Sequence, residues 1–309
     1  MTPRQIAAAV LIGTAAQPSA AQHAAVPPVA APPADTLMAR YQAFDASGAA
    51  RPLGALLDGA VQADVVFVGE IHDDPTGHAV ELAILTGLRE RAGARPVVLA
   101  LEMFEADVQT VLDEYVAGVI SERDFLEAAR PWSNYAADYR PLVEYAKANG
   151  LRVVASNAPV RYVRAVGRGG DLAGLSPAAL AVLPPLPAAP ASEGMAAAFA
   201  EAMGGHGGPS PGGMVAAQNL RDASMAFRTA EALRGGAEGS RPLVVHVNGG
   251  FHTAGGRGIP EHLARYAPEA RVFRIDLAPV ADVDAAPTAI DADAVVQTPA
   301  RLVPSRSGQ

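Results

Sequence analysis

VFVGEIHDDPTGH, residues 66–78, runs an apolar strand pattern straight into a glutamate, two histidines and two aspartates. Val66, Phe67 and Val68 show no polar alternation, which is how a strand buried on both faces of a parallel sheet reads. Asp74 and Pro75 then supply an N-cap and a first-turn proline. Val80, Ile84 and Leu88 recur at four-residue spacing, so a helix is expected directly after the strand. A buried strand followed by a crossover helix is the repeating unit of an α/β fold.

Similar strands recur along the chain: Ala63–Gly69, Pro96–Glu102, Leu151–Ser156, Pro242–Asn248 and Arg271–Leu277 are short, β-branched and almost continuously apolar. Between them, Ser121 with Asp124 marks a second capped helix start, and Asn149-Gly150 marks a helix stop. The expected architecture is a three-layer α/β fold, with a mainly parallel sheet, right-handed crossover helices and an inserted Gly/Pro-rich helical cap at about 167–213. Residues 1–21 have the charge, apolar run and small residues of a signal peptide, and 22–36 form a Pro/Ala-rich linker. The folded domain is expected over 37–279 and a flexible Asp/Ala/Pro-rich tail over 280–309.

Composition narrows the chemistry. The 309 residues carry a net charge of −8, which disfavours nucleic acid and leaves small ligands or proteins as partners. Past the N-terminal segment, no run approaches the roughly 20 apolar residues of a membrane span. The chain has no cysteine, so disulfides, thiolate metal ligands and a cysteine-linked lipid anchor are all excluded. An exported, periplasmic protein is the expectation.

Ligands of parallel α/β sheets bind outside the carboxyl ends of the strands. Those ends hold Glu70 and His72, then Glu102, then Asn157, then Asn248 and His252. Taken singly, each is an ordinary loop residue that bonds to backbone. Glu102 is the exception, because a carboxylate drawn into VVLAL must be paired or coordinated, by His72 or a metal. Imidazole with carboxylate suits zinc, iron or manganese, and the same groups can act without metal as base and orienting partner. His78 either reaches this crevice or caps its own helix. His246 reads as a core histidine, while His262 on an expected surface helix and His23 in the linker carry no assigned role. Arg257, in the glycine-rich turn before Ile259-Pro260, can face an anion. H-E-x-x-H, G-x-S-x-G, P-loop and dinucleotide glycine motifs are all absent.

VFVGEIHDDPTGH, LALEMFEADVQTVLDEYVAG, RPWSNYAADYRPLVEYAKANGLRVVASNAP and VNGGFHTAGGRGIPEHL together resemble the ChaN-like proteins, the haem-binding uptake branch of the Tiki superfamily. That superfamily is marked by two G-x-x-H motifs, here Gly69–His72 and Gly249–His252. The resemblance implies an exported, iron-related haem binder that dimerises; the alternative within the superfamily is a metal-dependent hydrolase, of Tiki-type peptidase or esterase-like kind, built on Glu70, His72, Glu102 and His252. Haem ligation needs His, Met or Tyr here, and the candidates are Tyr135, Tyr139, Met203, His206 and Met214, with Arg257 for a propionate.

Overall fold

Alternate residues of the first long strand serve two different cores. Val66 and Val68 pack with Leu99, Leu101, Val245 and Val247 on one face. Val65 and Phe67 pack with Val98, Ala100 and Val244 on the other. The period of two along a doubly buried strand therefore produces three layers. The computed structural model describes residues 41–202, 211–236 and 240–300.

The strands are β1 (Gln42–Asp45), β2 (Ala50–Arg51), β3 (Val65–Glu70), β4 (Val97–Glu105), β5 (Arg152–Asn157), β6 (Leu243–Gly249), β7 (Val272–Val280) and β8 (Ala294–Pro299). They form one sheet in the order β2-β1-β8-β7-β3-β6-β4-β5, parallel from β8 through β5 and antiparallel where β1 meets β2 and β8. The helices are α1 (Leu53–Ala60), α2 (Pro75–Ala92), α3 (Gln109–Val116), α4 (Glu122–Ala129), α5 (Arg140–Ala148), α6 (Val160–Gly167), α7 (Pro177–Leu180), α8 (Glu193–Ala202), α9 (Pro211–Arg234) and α10 (Ile259–Tyr266).

The expected helix starts are present. Asp74 accepts a hydrogen bond from Thr76 N–H at 3.0 Å, and Ser121 accepts one from Asp124 N–H at 3.2 Å. Each cap is worth about 1 kcal/mol. Val80, Ile84, Leu85 and Leu88 of α2 are fully buried, each contributing about 1.5–3 kcal/mol of transfer free energy. Helices α1 to α5 cover one face of the sheet with this core, and α9 and α10 cover the other.

The described part of the Gly/Pro-rich segment folds into α7, α8 and their loops, and its Leu183 packs with Ala158, Val163 and Leu220 in a small apolar cluster. It closes over the loop after β6, where Phe199 meets Phe251 at 5.9 Å and Ser192 donates to Glu261 at 3.1 Å.

Two expectations need correction. The tail is not free: residues 294–299 are a strand seated between β7 and β1, and Val295 and Val296 are buried. Ladder pairing on both sides overrides a composition that reads as disordered, so the folded domain runs to Pro299. His262 is buried on α10, not exposed, and its Nε2 lies 2.9 Å from Asn219 Oδ1.

Candidate functional site

Strand β6 returns between β3 and β4, so the ends of these three neighbours share one crevice edge. Two hydrogen-bonded chains meet there. In the first, Glu102 Oε2 accepts from Gly249 N–H at 2.8 Å and Glu102 Oε1 lies 3.2 Å from His252 Nε2. His252 Nδ1 is in turn held by Asp222 of α9 through a short contact. Burial alone would push the His252 imidazole down, but the Glu102 and Asp222 carboxylates outweigh it and lift it to about 10. Burial likewise opposes the charge on Glu102, yet His252 holds that carboxyl at about 2. Asp222 is raised, because its burial exceeds the help from His252.

In the second chain, His72 Nδ1 sits 2.7 Å from Glu70 Oε1, and Tyr139 donates its hydroxyl hydrogen to the same oxygen at 2.9 Å. The His72 side chain is 44% exposed, whereas the Glu70, Glu102 and His252 side chains are almost fully buried. Burial works against the charged form of His72, but the bond to Glu70 and the charge of Glu102 raise its pKa. Trp132 stands edge-on to the ring at 4.9 Å. His72 is thus the one member of the strand-end set that a ligand in the crevice can touch.

The glycines of the two motifs let these chains meet. A Cβ on Gly249 would lie 2.8 Å from His72 Nε2, and a Cβ on Gly69 would lie 3.0 Å from Gly250 Cα. Each glycine makes room for the other motif's loop.

Glu70, His72, Glu102 and His252 do converge, but as a proton-linked array. Both His252 nitrogens face carboxylates, Glu102 at Nε2 and Asp222 at Nδ1. Among the described residues, the set whose donor atoms lie within 4.8 Å of one another is Glu70, His78 and Glu81. The partner of Glu102 is His252 rather than His72. Asn157 donates to Glu102 O at 3.1 Å and accepts from Arg221 at 3.2 Å, while Asn248 holds His246 Nδ1 at 2.9 Å. Both amides are scaffolding for the edge. His246 is the core histidine expected: burial drops it to about 4, so it is neutral.

Two contributors went unread in the sequence, Asp222 and Gln218, whose amide nitrogen lies 2.9 Å from His252 Nδ1. The signal was there: Asp222 falls on the same stripe of α9 as the buried Met225, Ala226, Thr229 and Leu233, where an acid has no place without a partner.

The family model described as haem-binding uptake, Tiki superfamily, ChaN, matches residues 56–263. The chain belongs to that family. The solved structure of ChaN of Campylobacter jejuni, described as showing cofacial heme binding, shares the fold at a TM-score of 0.61 with 16% identity, covering 83% of this chain and 96% of that one. Protein RETICULATA-RELATED 5, chloroplastic, of Arabidopsis thaliana is 26% identical over 227 residues, 68% of this chain. The chain spans 30% of the length of that curated relative.

Membership in a haem-binding family puts the haem candidates to a structural test. Tyr135 is 3% exposed among Phe104 and Phe125, and Tyr139 is fully buried against Glu70. Neither presents its hydroxyl at a surface, because both rings are needed to fill the core. Met203 and His206 lie outside the described residues, and Met214 lies near the start of α9. An apolar cavity of about 530 Å³ opens under the cap, lined by Val166, Leu172, Leu186, Ala216 and Leu220, with Asn219 and Asp171 as its polar groups. The size and walls suit a flat apolar ligand. Among the described residues the cavity lining holds no His, Met or Tyr. Arg257 packs against Gly194 of α8, with its guanidinium beside Gly255.

Proposed function

We propose that the chain is an exported haem-binding protein of the iron-uptake kind, holding the porphyrin in the apolar cavity beneath the cap. The observation that carries this reading is the cavity itself, built from α6, α9 and the cap loops in a chain of the haem-binding uptake family. When bound, haem supplies iron for ligation or transfer. The chain's part is to wrap the ring in Leu172, Leu186 and Leu220 and to pair a propionate with Arg257. Met203 and His206 are the candidate axial ligands on their chemistry. Export and homodimerisation belong to the same proposal.

Haem titration tests it: a saturable, stoichiometric Soret shift is expected for the full chain, and Leu220→Arg should abolish it while the fold persists. A wild-type protein that gives no saturable shift ends the reading. Mass spectrometry of a periplasmic fraction, with a mature N-terminus near residue 22, tests export. Light scattering with and without haem tests dimerisation.

A second reading is hydrolysis at the strand ends, favoured by the Asp222–His252–Glu102 chain behind an exposed His72. Such a chain fixes one imidazolium and leaves His72, oriented by Glu70, to exchange a proton with a crevice ligand. Peptide and ester hydrolysis that is lost in His72→Ala and His252→Ala supports it; a wild type without activity removes it.

A further inference from the structure

Glu70 alternates with Val66 and Val68 along β3, so its side chain points at the face covered by α2. There His78 and Glu81, three residues apart on α2, turn inward. His78 Nδ1 lies 3.2 Å from Glu70 Oε2 and 3.3 Å from each oxygen of Glu81. The side chains are 4% exposed for His78 and 0% for both glutamates. Two buried carboxylates thus crowd one imidazole.

The arrangement has an unfilled acceptor. Glu70 Oε1 is taken by His72 and Tyr139, whereas the buried Oε2 accepts no hydrogen bond, the His78 Nδ1 beside it being spent on Glu81. A buried carboxylate oxygen left without a donor is destabilising unless something occupies the space it faces.

The imidazole is set as a metal ligand is set. His78 Nε2 faces the His72 carbonyl oxygen at 3.3 Å and Asp138 Oδ2 at 3.7 Å, so Nε2 can keep its hydrogen while an ion displaces the proton that Nδ1 now gives to Glu81. A carboxylate or carbonyl behind the distal nitrogen is the usual support of a ligating histidine. The His78 separations of 3.2 and 3.3 Å come close to the roughly 3.3–3.6 Å expected between donors about 2.0–2.2 Å from a tetrahedral ion.

We propose that Glu70, His78 and Glu81 bind one divalent transition-metal ion, of the zinc, iron or manganese class, in the core behind the strand-end crevice. One imidazole with two carboxylates suits these ions and excludes a thiolate-preferring one. Glu70 then bridges two roles, one oxygen on the ion and the other on His72. The site rests on neither functional reading above, because it uses none of the cavity residues and needs no hydrolytic activity.

The test uses the full, tag-free chain, stripped with chelator and titrated with Zn²⁺, Mn²⁺ and Co²⁺. One equivalent per chain by calorimetry and elemental analysis is expected, with a visible Co²⁺ absorption of nitrogen–oxygen coordination and a rise in melting temperature. His78→Gln and Glu81→Gln, near-isosteric and checked for folding by circular dichroism, should each weaken binding at least tenfold. His262→Gln, a buried histidine on the other face of the sheet, should bind as wild type. Should the variants fail to fold, X-ray absorption of the Co²⁺-loaded wild type decides, one imidazole with carboxylate oxygens being required. No bound metal and an unmoved melting temperature would show that a shared proton alone fills the cluster, and would overturn the proposal, as would variants that bind like wild type. Haem binding is read separately at the Soret band, so failure of one leaves the other standing.

Discussion

Gly249 and His72, the glycine of one G-x-x-H motif and the histidine of the other, are in contact: a Cβ on Gly249 would lie 2.8 Å from His72 Nε2. Gly249→Ala therefore forces the imidazole away from Glu70 and overfills a packed edge. A loss of about 1–3 kcal/mol in urea unfolding is expected. The His72 ring proton signal should move toward that of a solvated histidine; an unchanged signal would show that the contact is slack.

Two buried histidines give opposing pH dependences of stability on either side of about 6.5. His252 is raised to about 10 in the fold, so its contribution is complete below the ordinary value near 6.5 and declines as pH rises toward 10. His246 is lowered to about 4, so stability declines as pH falls from about 6.5 toward 4. Urea midpoints measured across this range should show both limbs. His252→Gln should shallow the alkaline limb, to which His78, raised to about 9, also contributes, and, by leaving Glu102 buried beside a neutral amide, cost about 3–5 kcal/mol at neutral pH.

Tyr139→Phe removes the hydrogen bond to a buried carboxylate and should cost about 1.5–3 kcal/mol. The same variant should titrate with haem as wild type does, because the Tyr139 hydroxyl is committed to Glu70. A lost Soret shift in a folded Tyr139→Phe would return the tyrosine to the list of axial ligands.

Deleting residues 294–309 should abolish the cooperative unfolding transition. The truncation strips β8 from between β7 and β1 and breaks the Thr298 hydrogen bond to Asp74 at 2.5 Å. Thr298→Val keeps the strand and should cost only about 1 kcal/mol. Calorimetry of the two variants separates the roles.

Much of this was legible in the sequence because it is local. The strand from Val65 to Gly69 announces itself by unbroken β-branched and aromatic residues, and Asp74-Pro75 fixes the next helix start. Strand ends in a parallel sheet share one edge, so Glu70, Glu102 and His252 could be gathered without coordinates. Their pairing could not, since it depends on β6 slipping between β3 and β4, a matter of long-range order. Asp222 was hidden for a similar reason: its partner lies thirty residues on, and only the packing of α9 brings the two together. The 294–299 strand failed to show because six residues in an Asp- and Pro-rich setting acquire strand character only from neighbours on both sides. Tyr135 and Tyr139 read as ligands by chemistry but are consumed by the core.

The place of β8 also sets an order of events. β1 lies near the start of the described chain, yet among the described strands it pairs only with its short hairpin mate β2 and with β8, some 250 residues later. On a ribosome releasing about 5–20 residues per second, the β8-facing edge of β1 and the outer edge of β7 stay unpaired until β8 emerges. At this edge, the sheet that carries both G-x-x-H motifs is closed by the last of the described strands.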